Sequence, residues 1–214
     1  MRYKVAHIYK LQDIVSKLYV EKELNRKMEY VIITVLLIAL FLVTLRKEEK
    51  QIVFNQNINV MAYNPTTVAN YFVLNYAKYG VITPMKLLKL TYIAYGWYLA
   101  ITDGKEKLID ELPQAWKYGP VFPSLYKAIK QNGTDQIDSA IPYFKVEHIK
   151  EEDAEFLDEI WEKYGNFDGI QLMEMTHAEG TPWKNVYCEG CNSTISDIDI
   201  FNHYTEKLNT AQNA

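Results

Sequence analysis

Four prolines stand where only the first turn of a helix accepts them, and that punctuation constrains the fold more than any other feature of the chain. Proline fixes φ near the helical value and has no N–H, so it breaks a helix interior but fits its first position. Asn64 precedes Pro65, and Thr83 precedes Pro84; both are residues whose side-chain oxygens cap first-turn amides. The spacing predicts one helix from Pro65 through Lys78, with Gly80 just past its end. A second runs from Pro84 to about Thr102 and stops at Asp103-Gly104. Pro123 opens a third, to about Gln131, closed by Asn132-Gly133, and Thr181-Pro182 opens one more turn or short helix.

The second of these helices carries two apolar stripes. Met85, Leu88, Tyr92, Tyr95 and Leu99 form one; Leu87, Leu90, Ala94, Trp97 and Ile101 form the other. A helix apolar nearly all round is the buried centre of a soluble domain. Lys86 and Lys89, three apart, read as its one wet edge. "KEEDAEFLDEIWEKYG" is amphipathic, with acids in its first turn and Gly165 after its end. Asp168 and Gln171 have capping-box spacing and open a helix over Gly169 to about Ala178. Ser196 or Asp197 caps a last helix through about Lys207, and residues 209–214 should fray. Between Leu108 and Tyr118, broken by Pro113, the pattern suits one or two short strands or a hairpin, and Ile141 to Val146 suits another. The predicted fold is mainly α: a compact helical domain over residues 61–208 with a minor short β element, preceded by an N-terminal hydrophobic extension.

Charge divides the chain at the same place. Residues 1–60 hold ten Lys/Arg and six Asp/Glu, a balance of +4; residues 61–214 hold thirteen Lys and twenty-one Asp/Glu, a balance of -8. The second part has no arginine, the preferred reader of phosphate and guanine edges, so direct nucleic-acid binding is not expected. With 49% hydrophobic residues a real core is expected.

Residues 30–45, "YVIITVLLIALFLVTL", carry no charge. As a helix they would span about 24 Å, short of the roughly 30 Å of a bilayer core. Three readings stay open: a membrane anchor, a buried apolar helix, or a reading frame that properly starts at Met61. The last is motivated by "NVMAYNPTTVANYF", where Met61 directly precedes a fresh domain start. A cytoplasmic location is expected, with membrane anchoring through residues 30–45 as the alternative.

Catalytic signatures are absent: there is no glycine-rich phosphate loop, no G-x-S-x-G and no H-E-x-x-H. Glu174 and His177 share a helix face at acid/base spacing, without a nucleophile or oxyanion donor beside them. "CEGC", Cys188 to Cys191, supplies two metal ligands where structural zinc needs four, so the plain reading is two free thiols in a turn. His177 and His203 are the residues that would have to complete a metal site. No enzyme activity, cofactor or metal is expected. "QAWKYGPVFPSLY", Gln114 to Tyr126, concentrates four aromatics around one glycine, which suits a packed corner or a docking surface.

"MKLLKLTYIAYGWYLA", "ELPQAWKYGPVFPSLY", "MTHAEGTPWKNVY" and "ISDIDIFNHY" follow one another in that order. Together they resemble the Panacea antitoxin domain family, which includes SocA-type antitoxins and phage-associated proteins of the GepA type. The resemblance covers nearly all of residues 63–205 and leaves residues 1–60 outside. It implies a small, mainly helical bacterial domain that neutralises a neighbour-encoded toxin by direct binding. For SocA-type members it also implies an adaptor role towards a ClpXP-type protease. Carried over by position, the signature residues are Lys89, Leu90 and Tyr92, then Glu111, Trp116, Tyr118, Gly119, Pro120 and Tyr126, and finally His177, Trp183 and Asp197. "CEGC" has no counterpart in the resemblance. The candidate partner-binding residues are Lys89, Tyr92, Trp116, Lys117, Tyr118, Pro120 and Phe122. Within them the corner is expected to pack Trp116 inside and to present Lys117, Tyr118 and Phe122 outward. A membrane-tethered interaction protein and an enzyme using His177 and Glu174 are the competing functions.

Overall fold

The computed structural model describes residues 36–43, 46, 62–142 and 148–212. The chain divides into two units, Met1–Val53 and Phe54–Ala214. In the first, residues 36–43 are helical with exposed side chains. The remainder of the uncharged run 30–45 lies outside the described residues. Among the described residues no helix is long and apolar enough to cross a membrane.

The second unit is mainly helical with a small sheet. In chain order it contains α1 (Pro65–Tyr76), α2 (Pro84–Ile101), β1 (Gln114–Trp116), β2 (Gly119–Val121), α3 (Pro123–Ile129) with a 3-10 turn (Lys130–Asn132), α4 (Glu151–Tyr164), α5 (Gly169–His177), α6 (Pro182–Val186), β3 (Ser193–Thr194) and α7 (Asp197–Gln212). All four helix-opening prolines take the predicted first position. Asn64 accepts from the Thr66 amide at 2.9 Å, and Thr83 from the Lys86 amide at 3.3 Å. Asp168 and Gln171 form the expected capping box.

Helix α2 is the centre of the unit: every residue but Met85 and Ile101 is buried. Helices α1, α4, α5 and α7 and strand β2 pack around it. That burial corrects the wet-edge reading, because Lys86 is 5% and Lys89 0% exposed. Surrounded on all sides, α2 has no wet face, and its lysines end on backbone carbonyls instead. Lys86 Nζ donates to Gly165 O at 2.5 Å and Lys89 Nζ to Pro120 O at 3.0 Å.

Tyrosines tie the centre to distant acids. Tyr63 and Tyr98 both donate to the buried Asp153, at 2.6 and 2.8 Å, and Tyr95 donates to the buried Asp197 at 2.5 Å. Asp197 also holds Lys107 at 2.5 Å. Tyr71 and Tyr76 converge on Asp158.

The sheet has the order β2-β1-β3, antiparallel throughout. Ala115 pairs with Pro120 on one side and with Ser193 on the other. Strand β3 is two residues long, too short to leave a period in the sequence. Ile141 and Pro142, in the expected second strand, are not extended into one; residues 143–147 lie outside the described residues. The last helix passes the expected stop at Lys207 and runs to Gln212. The Ser196 hydroxyl accepts from the Asp199 amide at its start.

Candidate functional site

The stretch Gln114 to Tyr126 folds as a β-hairpin followed by the start of α3. Trp116 pairs with Gly119, leaving Lys117 and Tyr118 as the turn. Neither of these two takes a positive φ; the left-handed position falls on Gly119, at 104°. No side chain fits there. A Cβ on Gly119 would lie 2.6 Å from Lys89 Nζ and 3.1 Å from His177 Nε2. The hairpin thus rests its glycine on two nitrogen-bearing side chains from α2 and α5.

That base is unusual chemistry for a core. Lys89 is fully buried, and burial lowers its pKa to about 7. His177 is also lowered, by burial first and then by the charges of Lys89 and Lys184. Its Nε2 is buried without a hydrogen-bond partner. The imidazole stacks on Trp183 at 3.6 Å and 2°, and Trp183 stacks on Tyr187 at 4.5 Å and 19°. Trp183 Nε1 then donates to Trp116 O at 2.8 Å. Two hydrogen bonds from below therefore hold both strands of the hairpin by main-chain carbonyls, Trp116 O and Pro120 O.

Above this base sits the exposed part. Tyr118 is 58% exposed, with Lys117 Nζ 5.6 Å from its ring centre. Trp116 is half-buried, stands edge-on to Tyr126 at 4.9 Å, and donates from Nε1 to Gln114 Oε1 at 2.9 Å. Tyr126 is itself exposed and extends the patch.

The seven candidate residues thus separate into two layers. Trp116, Lys117 and Tyr118 form the accessible tip. Lys89, Tyr92 and Pro120 are buried beneath it or farther inside, and cannot touch a partner without unfolding. Phe122, expected outward, is fully buried. It occupies the residue before α3 and packs edge-on against Tyr95 at 5.7 Å, because the turn into the helix directs it towards α2.

Several features escaped the sequence reading. Glu111 caps α3 from a distance, accepting from the Ser124 amide at 3.0 Å and from the Ser124 hydroxyl. Its acidic character, thirteen residues before Ser124 in a proline-led helix without a polar cap, was the available signal. Tyr126 was a signature residue but not a candidate contact. Glu174 is exposed, and no hydrogen bond or ion pair joins it to His177 among the described residues, so they do not form an acid/base pair. Cys188 and Cys191 are not free thiols: they form a disulfide with Cα atoms 5.5 Å apart, within the ordinary range. The turn between them, with Gly190 at φ 76° and the Cys191 amide on Cys188 O at 3.2 Å, brings the sulfurs together. Among the described residues no group of three or more His, Cys, Asp or Glu is placed to hold a metal ion.

Comparison with known proteins bears on the same residues. Residues 87–184, from the buried helix α2 to α6, match the family described as Antitoxin SocA-like, Panacea domain. Antitoxin SocA of Caulobacter vibrioides (strain NA1000 / CB15N) is 31% identical over 111 residues, which cover 48% of this chain and 58% of that protein. The chain thus spans little more than half the length of this relative. No solved structure matches. The hairpin, the Lys89–His177 base beneath it and the His177–Trp183 stack all fall inside the matched region, and it is over residues 87–184 that the chain is similar to the Panacea domain of SocA-like antitoxins.

Proposed function

We propose that this protein is an antitoxin that neutralises a neighbour-encoded toxin by binding it directly, with the β1–β2 hairpin tip as the contact. The observation that carries the reading is Tyr118: a large aromatic side chain, 58% exposed, at a turn that a left-handed glycine and two hydrogen bonds from below, one buried and one partly buried, hold still. Exposed aromatics on a fixed frame lose little entropy on binding and serve as anchors. Tyr126 and the edge of Trp116 extend the apolar surface, and Lys117 adds one charge beside it. The family match supports the antitoxin class, and no arrangement of groups at the site favours catalysis.

The test is co-expression with the protein encoded next to it. Expected outcomes are growth rescue by the intact chain, and a stoichiometric complex by size exclusion. Tyr118→Ala, an exposed change, should leave the thermal midpoint within a degree or two and weaken the complex by about 1–3 kcal/mol. A complex of unchanged affinity in that variant moves the contact off the hairpin; no complex at all refutes neutralisation by direct binding.

A further inference from the structure

A second site lies where α2, α4, α5 and α7 meet. A cavity of about 90 Å³ is lined by Tyr92, Tyr164, Thr176, Thr181, His203 and Lys207, among others. A single water needs roughly 10–15 Å³ of such space. The Tyr92 hydroxyl is buried there and has no hydrogen-bond partner in the protein. A buried hydroxyl without a partner costs free energy unless something else bonds it. Tyr164 has a spare proton as well: its oxygen accepts from Trp97 Nε1 at 2.8 Å and it donates to no protein group. Both threonines, by contrast, already donate to main-chain carbonyls.

Charge favours one class of occupant. Lys207 lies at the solvent end of the cavity, and its pKa is lowered by burial and then by the nearby charge of Lys163. Neither lysine pairs with a carboxylate among the described residues; Lys163 Nζ lies over the Trp97 ring at 4.6 Å and Lys207 Nζ over the Tyr204 ring at 5.6 Å. His203, hydrogen-bonded to the Gly180 backbone, is lowered by burial and by Lys207 and raised by Glu206. No acid is among the residues lining the cavity: Asp199, whose charge reaches Tyr92, is exposed and held by the Ser196 hydroxyl at 2.6 Å, while Glu179 and Glu206 lie farther out, in the open depression beyond Lys207. His203 and Lys207 also border a wider open depression of about 560 Å³.

From the spare hydroxyl donors inside, the acid-free lining and Lys207 at the rim, we infer that this cavity binds a small oxyanion, free or as the terminal group of a larger molecule. Tyr92 and Tyr164 donate to it from inside and Lys207 balances its charge from the rim. The inference is independent of toxin binding.

The experiment titrates the full chain with inorganic phosphate, and separately with acetate, at constant ionic strength held with sodium chloride. Thermal midpoint and binding heat are read together. Saturable stabilisation by either anion is expected, since a ligand that binds only the folded state raises its stability. Tyr92→Phe removes only the partnerless hydroxyl and should fold at least as well as the parent. It should weaken anion binding about tenfold or more. Lys207→Gln, an exposed change, should weaken it as well and gives the same reading should Tyr92→Phe fail to fold. Response to neither anion beyond that of chloride overturns the proposal. So does an equal response in the parent and both variants, which marks an adventitious ion only.

Discussion

Lys89 shows how far a residue's surroundings reset its chemistry. An ammonium group in the core without a carboxylate partner is costly, and the protein lowers that cost by letting the proton go near neutrality. The folded pKa, about 7, lies below the unfolded value near 10.4, so in between the unfolded chain holds a proton that the native state has released. Stability should therefore rise with pH from about 7 towards 10, and the cost of burial is felt in full below that window. Lys89→Met removes this proton linkage. Urea denaturation at a series of pH values should show the slope between pH 7 and 9.5 flatten by up to about 1.4 kcal/mol per pH unit; an unchanged slope refutes the assignment. The sequence shows two lysines three apart and nothing of the carbonyls that receive them, which is why they read as a solvated edge. Phe122 misled for a related reason, since composition marks an aromatic as valuable without saying which way a turn will point it.

At the scale of elements, helices were legible with their starts, whereas of the strands only β1 fell within an expected stretch, Leu108 to Tyr118. A helix start is written locally, in a cap residue followed by proline, and Pro65, Pro84, Pro123 and Pro182 were each readable within a few positions. Strand β3 exists because β1 offers it a free edge, and Ser193 and Thr194 carry no such information by themselves. The contact between α2 and α7 is likewise written in two distant places. Gly96 lies against the ring of Tyr204, and a Cβ there would come within 2.2 Å of its Cε2. Gly96→Ala gains about 1 kcal/mol of helix propensity and incurs roughly 1–3 kcal/mol of overpacking, more if Tyr204 is expelled. Net destabilisation is the expected result in calorimetry; a raised midpoint would show that the two helices separate easily.

At the scale of the whole molecule, the acidic excess of residues 61–214 has a structural use. Asp153, Asp158 and Asp197 each receive tyrosine hydroxyls from α1, α2 or the residue Tyr63 before α1, far away in sequence. Burial first, and these acids second, raise the pKa of Tyr71, Tyr76, Tyr95 and Tyr98 above the ordinary value. A raised folded pKa stabilises fully below the unfolded value near 10 and is lost as pH climbs through the folded one. The stability profile should thus turn over and fall above about pH 10, where the lysine effect ends. Asp153→Ala leaves the Tyr63 and Tyr98 hydroxyls without that acceptor and should cost roughly 2–4 kcal/mol in chemical denaturation; a loss below about 0.5 kcal/mol would mean that water replaces the carboxylate. None of these pairings was legible, because each joins residues dozens of positions apart. The mainly helical class and the family likeness were legible, since the one needs only local punctuation and the other only motifs in order.

The hairpin is fastened through Trp116 O and Pro120 O, atoms that every amino acid possesses. Its frame is therefore indifferent to what stands at positions 117 and 118. Relatives of this fold, or a laboratory library randomised at those two positions, are free to exchange the tip like the bit of a screwdriver while the handle stays the same. One scaffold can then carry many tips, and a change of tip need not pass through an unfolded intermediate.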